Sequence, residues 1–148
     1  MGAAELVGVV LLLAVLAVLA VAVALVVRRV QLLRGGGVDV SLRRRVVRGA
    51  TGWHVGVGRY RGDELCWFRL TSLWPCPTVV VDRTLLEIVD RRVPTEAEVD
   101  AIPAAGVVLR CRTPARTVEL AMAPGVLTGF LAWLEATPPG RTGYRQAS

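Results

Sequence analysis

The chain has 148 residues, 53% of them apolar, a mean hydropathy of +0.51 and a net charge of +6. This length allows one modest domain with an appendage and excludes two full domains. All eighteen basic residues are arginine, which excludes P-loop, Schiff-base and kinase-type chemistries because each of them needs a lysine.

The first element is an uncharged apolar stretch at residues 6–27, which contains only Leu, Val, Ala and Gly. At about 1.5 Å per residue it forms a helix of roughly 33 Å, enough to cross a hydrocarbon core of about 30 Å. We therefore expect a single transmembrane helix. The alternative is a secreted domain with a cleaved signal peptide, which the small residues Ala20, Ala22 and Ala24 favour. The absence of a preceding basic residue and the length of the stretch oppose it.

Positive charge is concentrated directly after this stretch. Residues 28–48 hold seven arginines against one acid, Asp39, whereas residues 49–148 hold eleven arginines against ten acids. Because arginine beside a span stays on the cytoplasmic side, we expect a single-pass plasma-membrane protein with its N-terminus outside and its C-terminal domain cytoplasmic. The same arginines are expected to contact anionic lipid headgroups: Arg28, Arg29, Arg34, Arg43, Arg44, Arg45 and Arg48. A role limited to fixing topology is an equal alternative, and no nucleic acid is expected as a partner.

Composition divides the chain into four segments. Residues 1–34 are the transmembrane helix and a basic stem, and residues 35–51, which begin with three glycines, are a Gly/Arg-rich linker. Residues 52–137 are a β-rich cytoplasmic domain, and residues 138–148 are a disordered tail.

Short strand-like runs fill the β-rich domain. Residues 53–58 alternate between two faces, and a turn at residues 61–64 leads into a second strand up to residue 70, which predicts a β-hairpin. Further strands are predicted at residues 78–82, 85–90, 106–112 and 117–122. An amphipathic helix follows at about residues 124–136. The predicted fold is therefore a single N-terminal transmembrane helix plus a small mainly-β domain, a pleckstrin-homology-like β-barrel closed by the C-terminal helix.

A possible second basic patch flanks the predicted hairpin and consists of Arg59, Arg61 and Arg69. Lipid-binding pleckstrin-homology domains gather basic residues around their first turn, but this turn carries two acids. Cross-strand ion pairing is therefore favoured over an inositol-phosphate pocket. An acidic group between Pro94 and Pro103 is expected to be solvated: Glu96, Glu98 and Asp100.

Catalytic and metal-binding patterns are weak. His54 is the only imidazole, and no serine lies in a GxSxG context. The spacing of Cys66, Cys76 and Cys111 is not that of a zinc site, and their odd number forms no closed disulfide set. We expect Cys66 and Cys111 to be buried and Cys76 to be exposed. The sequence thus predicts no catalytic residue, no metal site and no cofactor, and a protein that is not an enzyme.

Four sequence blocks carry a resemblance that covers nearly the whole chain: Gly52-Trp53, Arg59–Gly62, Arg69-Leu70 and Phe130–Leu134. The chain resembles a family of short actinobacterial single-pass membrane proteins, classed as a domain of unknown function and often encoded beside the ATP synthase genes. The resemblance implies membership and architecture but no activity. Where that family has further basic residues after Ser72-Leu73, this chain has residues 74–78 (WPCPT), so no charge-based role is expected for this loop.

These features favour two non-enzymatic functions. The first is an uncharacterised membrane-anchored cytoplasmic module that acts as a non-catalytic adaptor or scaffold and recruits a protein partner at an exposed sheet edge. The alternative is an anionic-lipid-sensing pleckstrin-homology-like domain. The expected partners are anionic membrane lipids and a protein whose identity the sequence does not indicate, and the oligomeric state is left open.

Overall fold

The structure is a computed structural model in which residues 2–44 and 51–136 are described. Helices and strands follow one another along these residues as α1 Ala3–Arg34, β1 Val38–Arg43, β2 Trp53–Arg61, β3 Glu64–Arg69, β4 Val79–Asp82, β5 Glu87–Arg92, a 3₁₀ segment Glu96–Ala101, β6 Val107–Arg112, β7 Thr117–Met122 and α2 Pro124–Glu135. The tail predicted at residues 138–148 lies outside the described residues.

Helix α1 runs without interruption through the apolar stretch and into the basic stem. None of its residues is buried against the rest of the protein. Among the described helices it is the one that is long and apolar enough to cross a membrane. Its 32 residues correspond to roughly 48 Å, more than a hydrocarbon core of about 30 Å requires. The last turns therefore extend beyond the apolar stretch and carry Arg28, Arg29 and Arg34.

The seven strands form one antiparallel sheet that curls into a half-barrel. Their order is β4-β3-β2-β1-β7-β6-β5, so two meanders join where β1 pairs with β7. Helix α2 follows β7 directly. An N-terminal apolar helix, a small mainly-β domain and a closing C-terminal helix were predicted, and this architecture is confirmed. The likeness to pleckstrin-homology domains stays a prediction.

The predicted strands coincide with strands of the sheet. Residues Gly62 and Asp63 connect β2 and β3 in a tight hairpin, and Gly62 has a φ of 59°, which glycine adopts without strain. The four later strand predictions correspond to β4, β5, β6 and β7, and the amphipathic helix corresponds to α2. Local composition and turn signals were sufficient at these places.

Strand β1 corrects the linker predicted at residues 35–51. Residues Val38–Arg43 form the central strand of the sheet and pair with β2 on one side and with β7 on the other. Val40 and Leu42 are buried in the core, whereas Ser41 and Arg43 are buried on the opposite face. Residues 38–43 (VDVSLR) do alternate as a strand does, but the three glycines before them and the arginines after them gave the segment the composition of a linker.

The main core lies on the inner face of the curled sheet, where α2 closes it. Large side chains from five strands meet there with two residues of α2: Leu42, Leu65, Trp67, Val79, Leu109, Leu120, Leu127 and Phe130. On the outer face, the 3₁₀ segment and the residues after it cover a smaller cluster around Trp53, Ile102 and Val108. The C-terminal end of α1 also packs on this outer face, beside β2.

Candidate functional site

An open cleft of about 460 Å³ lies where α1 meets the outer face of the sheet. We call it the α1 cleft. Its lining comes from the C-terminal half of α1, from the β2–β3 hairpin and from the loop after β3: Ala24, Arg28, Gln31, Leu32, Arg59, Arg61, Phe68, Leu73 and Pro75. Three of these residues are arginines and none is an acid. The cleft therefore joins Arg28, one of the predicted headgroup contacts, to Arg59 and Arg61 of the predicted second basic patch.

The junction between α1 and the sheet is held by short-range contacts. The amide of Gly37 donates to the carbonyl of Leu32 over 3.1 Å, so the chain turns sharply from α1 into β1. The guanidinium of Arg29 pairs with Asp39 at 3.3 Å, and the Nη2 of Arg59 donates to the carbonyl of Gly35 over 3.1 Å. A three-glycine break predicts a flexible linker, whereas in the structure these bonds join the end of the helix to β1 and β2.

The three cleft arginines differ in exposure. Arg28 is half-buried, and its Nε is buried without a hydrogen-bond partner among the described residues. Arg59 is half-buried and Arg61 is exposed. Arg59 and Arg61 are two positions apart on β2, so they share the outer face of the sheet. Arg61 lies opposite Glu64 in the hairpin register.

The third member of the predicted second basic patch lies elsewhere. Arg69 alternates with Leu65 and Trp67, which places it on the inner side of β3. Its guanidinium donates to Nδ1 of His54 over 3.0 Å. Burial, and then the charges of Arg69 and Arg44, lower the pKa of His54 from its ordinary value. The patch is therefore Arg59 and Arg61, and Arg69 does not belong to it.

The loop between β3 and β4 presents apolar side chains beside the cleft. Leu73 is 57% exposed and Trp74 is 77% exposed. Leu73 and Pro75 line the cleft together with Ala24, which belongs to the apolar stretch. The loop therefore lies level with the last turn of that stretch.

The remaining predicted headgroup contacts are placed as follows. Arg34 and Arg44 are exposed, and Arg44 donates to the carbonyl of Thr78 over 2.8 Å. Arg45 and Arg48 lie outside the described residues. The prediction was wrong for Arg43, because only 2% of its surface is exposed and its guanidinium is bonded inside the domain.

Arg43 belongs to a buried network that sequence reasoning missed, which we call the Arg–Glu cluster. The cluster consists of three arginines and two glutamates: Arg43, Arg92, Arg110, Glu98 and Glu119. The Nε of Arg43 donates to the carboxylate of Glu119 over 2.7 Å, and the Nη2 of Arg43 donates to the same carboxylate. Glu119 is 0% exposed. The only sequence signal was an acid at the middle of a strand that is otherwise apolar or small.

Glu98 completes the Arg–Glu cluster from the 3₁₀ segment and corrects the prediction of a solvated acidic loop. It is 2% exposed, and Arg92 binds it through two bonds of 2.7 and 2.8 Å. The indole of Trp53 and the amide of Thr95 also donate to it, over 3.2 and 2.9 Å. These donors, Arg92 foremost, outweigh the effect of burial and lower the pKa of Glu98 from 4.5 to about 2. The cluster thus fastens the 3₁₀ segment to the outer face of the sheet.

The cysteines are placed as the sequence predicted. Cys66 and Cys111 are buried on strands and Cys76 is exposed, and all three are free thiols. Burial raises the pKa of Cys111 to about 12. Over residues 2–44 and 51–136, no three His, Cys, Asp or Glu side chains are grouped so that they could hold a metal ion.

Comparison with known proteins places the whole chain among uncharacterised relatives. A family model described as "Protein of unknown function (DUF2550)" matches residues 13–140. The chain is 37% identical to "Uncharacterized protein Rv1312" of Mycobacterium tuberculosis, over 96% of this chain and 97% of that protein. It is 36% identical to "Uncharacterized protein ML1147" of Mycobacterium leprae, over the same shares of the two chains.

Proposed function

Since the chain belongs to the actinobacterial DUF2550 family of proteins of unknown function, we propose its function from its own geometry, as a membrane-anchored, non-catalytic adaptor. Helix α1 is the anchor, and the β domain lies directly against the cytoplasmic leaflet of the plasma membrane. A protein partner binds at a free edge of the sheet. The bonded junction between α1 and the sheet is the observation that carries this proposal.

The cytoplasmic orientation is supported by the distribution of charge around α1. Its N-terminal side carries Glu5 and no arginine among the first five residues, whereas Arg28, Arg29 and Arg34 follow the apolar stretch. Arginine next to a span is retained on the cytoplasmic side. The domain then sits inside the cell, where its three thiols stay reduced.

The junction gives the adaptor a fixed orientation. A flexible linker would let the domain face any direction, whereas the Arg29–Asp39 ion pair and the Leu32–Gly37 bond hold β1 at the end of α1. The outer face of β2 consequently stays against the helix. An adaptor gains affinity from such a fixed geometry, since less freedom is lost when the partner binds.

Strand β5 is the edge that we propose for the partner. Within the part of the chain that the structure describes, β5 pairs only with β6, so its other side presents main-chain donors and acceptors. Val89 on this strand is 50% exposed, and Val93 just after it is 83% exposed. An extended peptide can add to such an edge as a further strand.

Site-specific photo-crosslinking of the full chain in its host cell tests the adaptor proposal. A photoreactive residue at Val89 is expected to give an adduct with one protein of defined mass. The matched control places the same residue at Thr128, which is exposed on α2. The proposal fails if Val89 gives no protein adduct, or if both positions give the same set of adducts.

A second function, recognition of anionic lipid by the domain itself, is favoured by one specific observation. The α1 cleft combines arginines of the stem and of the hairpin, and no acid lines it. A purely topological role for the stem arginines does not require arginines on β2. This lipid-binding role is compatible with the adaptor role, because the cleft and β5 lie at different places on the domain.

A further inference from the structure

We propose that the α1 cleft binds the phosphate of an anionic phospholipid headgroup, and that the Leu73-Trp74 loop inserts beside it into the interfacial layer of the same leaflet. This inference rests on the proposed placement of the domain next to the membrane. It depends neither on the adaptor role nor on which side of the membrane the domain occupies. Its chemistry is that of a phosphate monoanion held by guanidinium groups.

The cleft concentrates donors for an oxyanion. Arg28, Arg59 and Arg61 enter it from two different elements, and Gln31 adds a side-chain amide. Guanidinium groups bind phosphate in a bidentate manner and are less strongly hydrated than ammonium groups. No acid lines the cleft. Asp39 pairs with Arg29, and Glu64 lies opposite Arg61 in the hairpin register.

Two of these arginines have donors available. Arg59 uses Nη2 for the carbonyl of Gly35, which leaves further N–H groups of a side chain that has five donors. The Nε of Arg28 is buried and has no acceptor among the described residues. A buried donor without a partner is uncommon and unfavourable, so an acceptor at this place is favourable.

The position of the cleft along α1 matches the headgroup layer. Ala24 lines the cleft and lies within the last turn of the apolar stretch, whereas Arg28 and Gln31 lie one and two turns later. A lipid that fills the cleft therefore has its phosphate near the arginines and its glycerol and acyl chains near Ala24 and Leu73. A soluble phosphate ester would use the arginines but gain nothing from this apolar rim.

The loop after β3 supplies an independent reason to assign the ligand to a membrane. Trp74 is 77% exposed and Leu73 is 57% exposed, although both are large apolar side chains. Tryptophan is enriched at membrane–water interfaces, where its ring meets acyl chains and its N–H stays near water. Leu73 and Ala24 line the same cleft. Insertion of the loop and binding of a lipid in the cleft therefore require the domain to lie at the same depth relative to the membrane.

The test uses the full chain, purified in a neutral detergent and examined by native mass spectrometry. Phosphatidylglycerol, phosphatidylcholine, glycerol phosphate and inorganic phosphate are each titrated as separate probes. The primary variant is Arg61→Gln, because Arg61 is exposed and holds no element in place. The matched control is Arg116→Gln, which removes the same charge from an exposed position in the β6–β7 turn. Orientation in a cell does not affect this measurement, so its result is independent of the adaptor proposal.

Phosphatidylglycerol is expected to bind saturably, with one lipid held more tightly than phosphatidylcholine. Arg61→Gln is expected to weaken this binding about fivefold, and Arg28→Gln combined with Arg61→Gln about thirtyfold, whereas Arg116→Gln leaves it unchanged. Leu73→Ser, which changes an apolar residue of the cleft, should weaken lipid binding without any change of charge.

Three results would overturn the assignment. If Arg116→Gln weakens binding as much as Arg61→Gln does, the effect is non-specific charge attraction. If phosphatidylcholine binds as tightly as phosphatidylglycerol, the cleft does not recognise an anion. If glycerol phosphate or inorganic phosphate binds as tightly as the lipid, the cleft is a site for a soluble phosphate and its ligand is not a membrane lipid.

Discussion

The Glu119 carboxylate lies between arginine side chains on a face of the sheet where it is 0% exposed. Burying a charge costs several kcal/mol unless ionic partners and hydrogen bonds compensate for lost water. Arg43, Arg92 and Arg110 approach the carboxylate at distances up to 3.6 Å, and Arg43 also lies over the Trp53 ring at 5.0 Å. Arg43, Glu98 and Glu119 are its buried members, so the removal of one of these three leaves a buried charge with weaker compensation.

Replacing Glu98 tests the structural role of this cluster. Glu98→Gln keeps the size of the side chain but removes the charge that Arg92 binds, and we expect it to lower the free energy of unfolding by about 2–4 kcal/mol. The measurement is thermal unfolding of the full chain in detergent, followed by near-ultraviolet circular dichroism. Glu96→Gln, at an exposed position two residues earlier, is the control and should change stability by less than about 0.5 kcal/mol. Equal effects of the two substitutions would show that Glu98 is not held as described.

The pKa of Glu98 also predicts how stability depends on pH. Because the folded protein lowers this pKa from 4.5 to about 2, the carboxylate contributes stability that is fully present above about pH 4.5 and is lost as the pH falls toward 2. The contribution at neutral pH is about 3 kcal/mol. We expect the difference in melting temperature between the native chain and Glu98→Gln to shrink steadily from pH 5 to pH 3. A difference that stays constant over this range would contradict the lowered pKa.

At the scale of elements, the sheet and α1 depend on close approaches that only small residues permit. A Cβ atom on Gly56 would meet the Trp67 indole and the carbonyl of Phe68. On Gly37 it would meet the carbonyl of Leu32 and the side chain of Val57, at the place where α1 turns into β1. Glycine is therefore required where one element crosses another, and not only where the backbone needs a positive φ.

Two glycine substitutions test this requirement, because one is expected to destabilise the domain and the other to stabilise it. Gly56→Ala is expected to destabilise the domain by about 1–3 kcal/mol, because the strand backbone and Trp67 must move apart. Gly129→Ala lies within α2 with open space around it, so higher helix propensity should stabilise the domain by about 0.5–1 kcal/mol. Thermal unfolding of both variants measures the two shifts. Destabilisation by Gly129→Ala would mean that this face of α2 is covered.

At the scale of the whole molecule, one helix and one sheet combine into a unit with a defined direction. The apolar stretch leads into the stem, the stem into the α1 cleft, and the Leu73-Trp74 loop lies beside the last apolar turn. A chain of this form can hold its domain on one leaflet without a linker. Which leaflet it occupies depends on the charges that flank α1.

The exposed thiol of Cys76 measures this orientation directly. A membrane-impermeant maleimide is expected to leave the chain unlabelled on intact cells and to label Cys76 once the membrane is permeabilised, because the domain is proposed to be cytoplasmic. Cys66 and Cys111 are buried, so they should react only after denaturation and serve as an internal control for folding. A Cys76→Ser chain identifies the labelled site. Labelling of Cys76 on intact cells would place the domain outside.

The sequence alone determined the elements that composition, periodicity and turn residues mark locally. The apolar stretch is uniform over residues 6–27, and the β2–β3 hairpin, the later strands and α2 show apolar runs or alternation bounded by turn residues, so local reading found them. It failed for β1, because the alternation of residues 38–43 lies between three glycines and several arginines that have the composition of a linker.

Tertiary structure decided which arginines form buried ion pairs and which line the cleft, because the order of charges along the chain does not show this. Arg43 and Glu119 are 76 residues apart and meet only because β1 pairs with β7. The α1 cleft likewise joins Arg28 to Arg61 across two elements. An arginine at a membrane surface and an arginine in a buried ion pair are the same type of residue and can have similar neighbours in the sequence. What separates them is the folded surroundings, because solvation and the distance to a carboxylate determine what a guanidinium does.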